Sequence, residues 1–143
     1  MSEQVNEKTN NGNEDVLEIY PILPLRNTVL FPQQIIPIYV GREQSLKLIS
    51  NLPKSGKKYI VVVAQKDGSV EKPKGNEMYE MGTLAIVMKV FDMPDNSKSA
   101  IVQGLSRVHI SKFTQDDPYY KGLVTRVSDI LNDDVEIDAI SKN

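Results

Sequence analysis

Histidine and cysteine, which carry out much of enzyme catalysis, are almost absent from this chain, and it contains neither an HExxH nor a GxSxG motif. The single histidine, His109, alternates with aliphatic neighbours, so we expect it to point outward from a strand. Carboxylate pairs occur at 116–117, before a proline, and at 133–134. The first pair is typical of a turn and the second of a helix start. Neither pair has the apolar surroundings that raise a carboxyl pKa for acid catalysis.

Several other kinds of site are excluded by composition. The chain has no cysteine, which excludes disulfides, Cys-ligated zinc, iron–sulfur clusters and thiol catalysis. One histidine cannot build a multi-His metal site. The sequence at 55–58, SGKK, lacks the upstream glycine and the Ser or Thr of a phosphate-binding loop. The sequence therefore predicts a binding module rather than an enzyme.

The net charge of −2 is unevenly distributed, because both ends of the chain are acidic and the middle is basic. Residues 1–15 carry −3 and residues 129–143 carry −4, which leaves +5 for the residues between them. Residues 1–15 have almost no aliphatic side chains, so we expect a disordered tail there. The tail resembles neither a secretory signal nor a transit peptide, and no aliphatic run is long enough to span a bilayer. We therefore expect a cytoplasmic location.

From residue 16 onward, β-branched and aliphatic runs are broken by Pro and Gly, which is typical of strands joined by turns. These runs are 17–25, 35–40, 59–65, 82–91, 100–110 and 119–130. The third run is apolar on both faces, as in a fully buried strand. Pro21 and Pro24 in the first run cannot donate ladder hydrogen bonds, so we expect that run to be irregular or to lie at a sheet edge. With Pro37 in the second run, three prolines within strand-like runs favour a barrel or a rim over a flat central sheet.

One helix is predicted inside this region. Between Arg42 and Leu52, aliphatic side chains recur at three- and four-residue spacing, and Glu43 suits the positive end of a helix. The alternation of the fifth strand slips near Gly104, which predicts a β-bulge. Residues 66–81 predict an exposed loop. The fold class is therefore α+β, mainly β: a small pseudo-barrel of about six strands with one short helix.

The last residues predict the start of a C-terminal helix. Acidic residues come early in 131–143, and Val135, Ala139 and Ile140 follow at helical spacing. The predicted organisation is a tail at 1–15, a β-domain at 16–130 and a truncated helical segment at 131–143.

Two surfaces are candidates for binding. Six lysines between residues 54 and 74 could meet phosphates, but arginines are few and aromatic residues make up only 6% of the chain. A solvated loop surface explains these lysines better. The other surface is apolar, because Val29, Leu30 and Phe31 lie in a proline-bounded connection followed closely by Ile35 and Ile36. Such residues either cover the end of a barrel or form a docking patch for protein or peptide.

A family likeness rests on short motifs that follow one another in order. They are Pro24-Leu25-Arg26-Asn27, Val29-Leu30-Phe31-Pro32, Ile36-Pro37, Val40-Gly41-Arg42-Glu43, Val63-Ala64-Gln65-Lys66, Gly82-Thr83 with Ala85, Gly104 with Arg107, and Pro118-Tyr119. In this order and spacing they resemble the N-terminal domain of Lon ATP-dependent proteases over about residues 17–130. The resemblance implies a PUA-like pseudo-barrel, followed in the parent protein by a helical subdomain.

The resemblance also implies that this chain is a substrate-recognition fragment of a longer enzyme. The implied parent is a cytosolic homo-hexamer, an ATP-dependent serine endopeptidase with a Ser–Lys dyad that uses ATP and magnesium. It would degrade unfolded, damaged and short-lived regulatory proteins. This chain would have no catalysis, cofactor or metal of its own. Its implied partners are protein substrates, the rest of the Lon chain and neighbouring subunits of the hexamer, with no membrane and no nucleic acid.

We expect substrate capture to combine modest apolar area with a polar rim that permits release. The apolar candidates are Val29, Leu30, Phe31 and Ile36, and the rim candidates are Arg26, Arg42 and Glu43. Arg26 and Glu43 could equally tie the connection to the helix. Two alternatives stay open at this point: a stand-alone PUA-like RNA-binding protein, suggested by the fold and the lysines, and a stand-alone Lon-domain interaction protein.

Overall fold

The computed structural model describes residues 17–127, which form six strands and one α-helix. The strands are β1 (Leu17–Leu25), β2 (Ile35–Val40), β3 (Tyr59–Ala64), β4 (Met81–Asp92), β5 (Lys98–Gln115) and β6 (Tyr120–Arg126). The helix α1 is Glu43–Ser50, and a 3₁₀ turn lies at Gly75–Glu77. The predicted tail at 1–15 and helix start at 131–143 lie outside the described residues. The boundaries of the domain predicted at 16–130 stay a prediction.

The six strands form one sheet that closes on itself. Its order is β2-β5-β4-β3-β1-β6, and β5 also pairs with β6, which joins five strands into a ring. The early part of β5 pairs with β2, and its later part pairs with β6. The pair β1–β3 is parallel, and every other pair of named strands is antiparallel. The predicted mainly β pseudo-barrel with one short helix is thereby confirmed.

Strand β1 lies between β3 and β6, so of the two predicted alternatives, an irregular strand or a sheet edge, the edge position is wrong. It pairs with β6 over its first six residues and with β3 over its last four, so most of the strand has a neighbour on one side only. The carbonyl of Leu25 accepts a hydrogen bond from Gln65 N, so odd-numbered residues turn their backbone groups toward β3. The nitrogen of Pro21 faces β3, but pairing with β3 begins only at Ile22. The nitrogen of Pro24 faces β6, but pairing with β6 has already ended at Ile22. Neither proline therefore removes a ladder hydrogen bond.

Two apolar cores lie on opposite faces of the sheet. The ring core consists of Ile22, Val61, Val63, Met78, Leu84, Val108, Ile110, Tyr120 and Val124. The helix-side core consists of Leu23, Leu25, Leu30, Ile38, Val40, Leu48, Ile49, Ile60, Val62, Ala85, Val87, Ala100 and Val102. Alternate residues of β3 enter different cores, which confirms the buried strand predicted from its apolar run.

The bulge predicted near Gly104 is present one residue further along β5. Leu84 pairs with Ser106 and the next residue, Ala85, pairs with Gly104, so Leu105 has no partner on β4. Further register shifts occur where β5 pairs with β6. Bulges bend a strand and increase its twist. These irregularities let β5 leave β2 and curve toward β6.

Gly104 also fixes the connection between β1 and β2. Its N–H donates to Gln34 O at 2.8 Å, and its carbonyl accepts from Gln33 N at 3.0 Å. A Cβ atom at Gly104 would collide with the carbonyl oxygen of Phe31. The connection therefore lies so close to β5 that only glycine fits at position 104 without a backbone shift.

We expect Gly104→Ala to lower the free energy of unfolding by about 1–3 kcal/mol, because backbone must move to admit the methyl group. Urea denaturation measures this loss. Gly41→Ala is the matched control, because its new Cβ meets only the exposed ring of Tyr39, which can turn away. Equal losses in the two variants would contradict the assignment of Gly104 as the contact point.

Candidate functional site

Residues 26–34 connect β1 to β2 and cover one end of the sheet. Leu30 is 3% exposed and belongs to the helix-side core, while its neighbours Val29 and Phe31 are 53% and 55% exposed. The hydroxyl of Thr83 donates a hydrogen bond of 2.7 Å to the Leu30 carbonyl. Asn27 adopts a positive φ of 52°, which turns the chain into the connection. Anchoring Leu30 in this way presents the two flanking apolar side chains to solvent.

A groove of about 670 Å³ lies beside this connection. Val29 and Phe31 line it together with Tyr79 and Met81, which are also exposed. The ends of β1 and β3 and the first residues of β4 complete its surface. Its volume is in the range typical of ligand-binding pockets, and its lining is mainly apolar. The groove can therefore accept large apolar side chains.

The charged residues of the groove are Lys66, Glu80 and Arg107. The ammonium of Lys66 lies 6.0 Å from the ring centroid of Tyr79. Oε1 of Glu80 lies 3.5 Å from Nε2 of His109, and both side chains are largely solvent-accessible. The outward orientation predicted for His109 is confirmed.

The predicted apolar candidates occupy three different environments. Val29 and Phe31 line the groove and are exposed, so both are available for contact. Leu30 also borders the groove, but it is only 3% exposed because its side chain packs into the helix-side core, so the expectation that it offers apolar surface is corrected. Ile36 is partly buried against the same core and does not line the groove. Contact with a substrate stays a prediction for Val29 and Phe31.

The predicted rim residue Arg42 lies away from the groove and holds three chain segments together. Its guanidinium donates to Pro24 O at 2.8 Å, to the side-chain oxygen of Gln65 and to Glu71 O at 3.3 Å. The Pro24 carbonyl needs this donor, because β6 no longer pairs with β1 at that position. Burial lowers the pKa of Arg42, and the nearby Arg26 cation lowers that pKa further. Arg42 therefore has a structural role, and contact of Arg42 with a substrate stays a prediction.

Arg26 and Glu43 also have partners within the domain. Arg26 Nη2 lies 2.5 Å from Glu71 Oε1, so this ion pair connects the end of β1 to the loop after β3. Glu43 Oε2 lies 3.2 Å from Lys47 Nζ, one turn further along α1. Arg26 was predicted either to contact substrate or to tie the connection to the helix. Its ion pair does hold the connection in place, but the partner, Glu71, lies in the loop after β3 and not on the helix. Neither residue lines the groove.

Residues 19–143 match the family model described as the ATP-dependent protease La (LON) substrate-binding domain. The chain belongs to this family. It is 38% identical over 137 residues to the Lon protease of Dictyoglomus thermophilum, covering 96% of this chain and 17% of that protein. It is 44% identical over 126 residues to the Lon protease of Porphyromonas gingivalis, covering 86% and 15%. The chain thus spans about a sixth of the length of these curated relatives.

Two solved Lon domains share the fold. The Lon N-terminal domain protein from Xanthomonas campestris matches with a TM-score of 0.60 at 18% identity, over 78% of this chain and 60% of that one. The N-terminal domain of the Mycobacterium avium complex Lon protease matches with a TM-score of 0.56 at 16% identity, over 78% and 55%. At these identities the likeness concerns the fold alone, and it agrees with the pseudo-barrel described above.

Most of the groove of this Lon domain was absent from the sequence-based prediction. Tyr79 comes from the segment before β4, Met81 is the first residue of β4, and Arg107 comes from β5. The one available signal was the run Met78-Tyr79-Glu80-Met81, which is unusually apolar for the end of a polar loop. Met78 is in fact buried in the ring core, so the segment predicted as a wholly exposed loop is anchored there.

Among residues 17–127, no group of three or more His, Asp or Glu side chains is placed to hold a metal ion. In that range, no helix has both the length and the apolar character needed to cross a membrane.

We expect Arg42→Ala to lower the free energy of unfolding by about 1–3 kcal/mol, because it leaves the Pro24 carbonyl and the Gln65 amide without their charged partner. Arg26→Ala removes one exposed ion pair and should cost less than about 1 kcal/mol. Both losses are measured by urea denaturation. If Arg26→Ala cost as much as Arg42→Ala, the assignment of Arg42 as the joining residue would be wrong.

Proposed function

We propose that this Lon domain captures unfolded or damaged polypeptide by binding large apolar side chains in the groove beside residues 26–34. The observation that carries the proposal is the groove itself. Val29, Phe31, Tyr79 and Met81 are exposed around one cavity of about 670 Å³, so four large apolar side chains share a single concave surface. A groove of that size takes a short segment of a few residues.

Weak binding suits this role. Burying one large apolar side chain contributes about 1.5–3 kcal/mol, and association costs at least about 4 kcal/mol in lost freedom. Two or three such side chains therefore leave a modest net affinity, which permits release. The apolar lining has few directional groups, so it accepts many sequences.

The proposed parent is a cytoplasmic, homo-hexameric, ATP-dependent serine endopeptidase with a Ser–Lys dyad, which requires ATP and magnesium. In that protein the captured segment passes to ATPase and peptidase modules, while this domain contributes to hexamer organisation and has no catalysis of its own. The support is that the curated relatives named above are Lon proteases several times the length of this chain.

RNA binding by the lysines is the alternative function. Lys72 and Lys74 are exposed, as an RNA contact requires. However, they line a hollow shared with Asp116 and Asp117, whose carboxylates oppose a phosphate backbone. This arrangement favours the groove over the lysines as the functional surface.

We expect Phe31→Ser to weaken binding of a permanently unfolded protein about tenfold, because it removes one buried aromatic contact. Reduced, carboxymethylated α-lactalbumin is the probe, and fluorescence anisotropy gives the dissociation constant. Phe91→Ser is the matched control, because Phe91 is 44% exposed but lies outside the groove. Equal weakening in both variants would contradict the groove as the binding site.

The same titration with structured RNA, at low and moderate salt, tests the alternative. Tight RNA binding with a steep salt dependence, together with no affinity for the unfolded protein, would overturn the proposed function.

A further inference from the structure

The rim of the groove has an uneven charge. Lys66, Glu80 and Arg107 line it, and Glu80 is the only one of the three in an ion contact among residues 17–127, with His109 at 3.5 Å. Within that range Lys66 and Arg107 have no carboxylate within salt-bridge distance. Two cations are thus available beside an apolar surface.

These cations lie on the two flanks of β4. Arg107 is on β5, directly opposite Thr83 of β4, and Lys66 follows β3, the other neighbour of β4. The backbone N–H of Lys66 donates to Glu77 O at 2.9 Å, which fixes the position of its Cα. The apolar lining from Met81 and Tyr79 belongs to the segment at the start of β4. A segment laid in the groove therefore comes close to both cations.

We propose that the groove selects segments in which large apolar residues are flanked by Asp or Glu, and discriminates against segments flanked by Lys or Arg. This inference rests on the proposed function and adds a substrate class to it. Carboxylates of the segment pair with Lys66 and Arg107, while ammonium or guanidinium groups meet like charge. A bound segment that covers the apolar lining excludes water from the neighbouring cations and strengthens both effects. Glu80 is exposed like the two cations and opposes the preference, but Lys66 and Arg107 together exceed it by one charge.

The test uses three fluorescein-labelled peptides with one shared apolar centre, flanked on both sides by Asp and Glu, by Lys and Arg, or by Ser and Gln. Dissociation constants are measured by fluorescence anisotropy on the 143-residue chain. We expect the acidic peptide to bind about tenfold more tightly than the basic one at low salt, with the neutral peptide between them. The ratio should shrink as salt screens the charges.

The double variant Lys66→Glu, Arg107→Glu should reverse the order of affinity, so that the basic peptide binds more tightly than the acidic one. The double variant Lys54→Glu, Lys57→Glu is the matched control, because it makes the same change in net charge at exposed positions outside the groove. Circular dichroism and thermal unfolding verify that both variants fold. The control should keep the original order.

Each outcome separates this inference from the proposed function. Equal affinity for all three peptides would overturn the charge preference and leave capture in the groove intact. Loss of the preference in the control variant as well would assign it to the net charge of the domain rather than to the rim, which also overturns the inference. If no peptide bound and unfolded α-lactalbumin did not bind, the proposed function would fail first.

Discussion

The closure of the sheet by β5 is the constraint on which the other features depend. Its 18 residues pair with β4 along most of their length, with β2 early and with β6 late. The unpaired Leu105 lies between the part of β5 that pairs with β2 and the part that pairs with β6, and such a bulge bends the strand. The ring core forms inside the five strands that this pairing joins, and β2 is left to cover the helix-side core.

The groove is a consequence of that closure. Because β5 curves next to Gly104, the connection between β1 and β2 can lie against β5. It hydrogen-bonds to both the N–H and the carbonyl of Gly104. Leu30 is then directed into the core, and Val29 and Phe31 are left outside. The connection thus contributes to the proposed binding surface two side chains that its packing excludes from the core.

Two arginines, Arg42 and Arg107, show that the role of a charged residue depends on its position in the fold and not on its type alone. Arg42 has the side chain expected at a binding rim, yet it serves a carbonyl that β1 exposes where β6 ends. Arg107 had no assigned role beyond its place in a family motif, yet it lines the groove. Both arginines are alike in sequence terms. The difference arises from which backbone groups remain unpaired nearby, and that is a property of the closed sheet.

The sequence by itself determined the strands, the helix, the bulge near Gly104 and the apolar character of residues 26–34. These features depend on periodicity, turn residues and composition over short windows, which are local properties. The tertiary structure alone decided that β1 is internal despite its prolines, that Leu30 is buried, and that Tyr79, Met81 and Arg107 join Phe31 in one groove. Those outcomes depend on contacts between residues about 50 or more positions apart, such as Thr83 with Leu30, and on which hydrogen-bonding edge each strand leaves free. Local patterns carry no information about either.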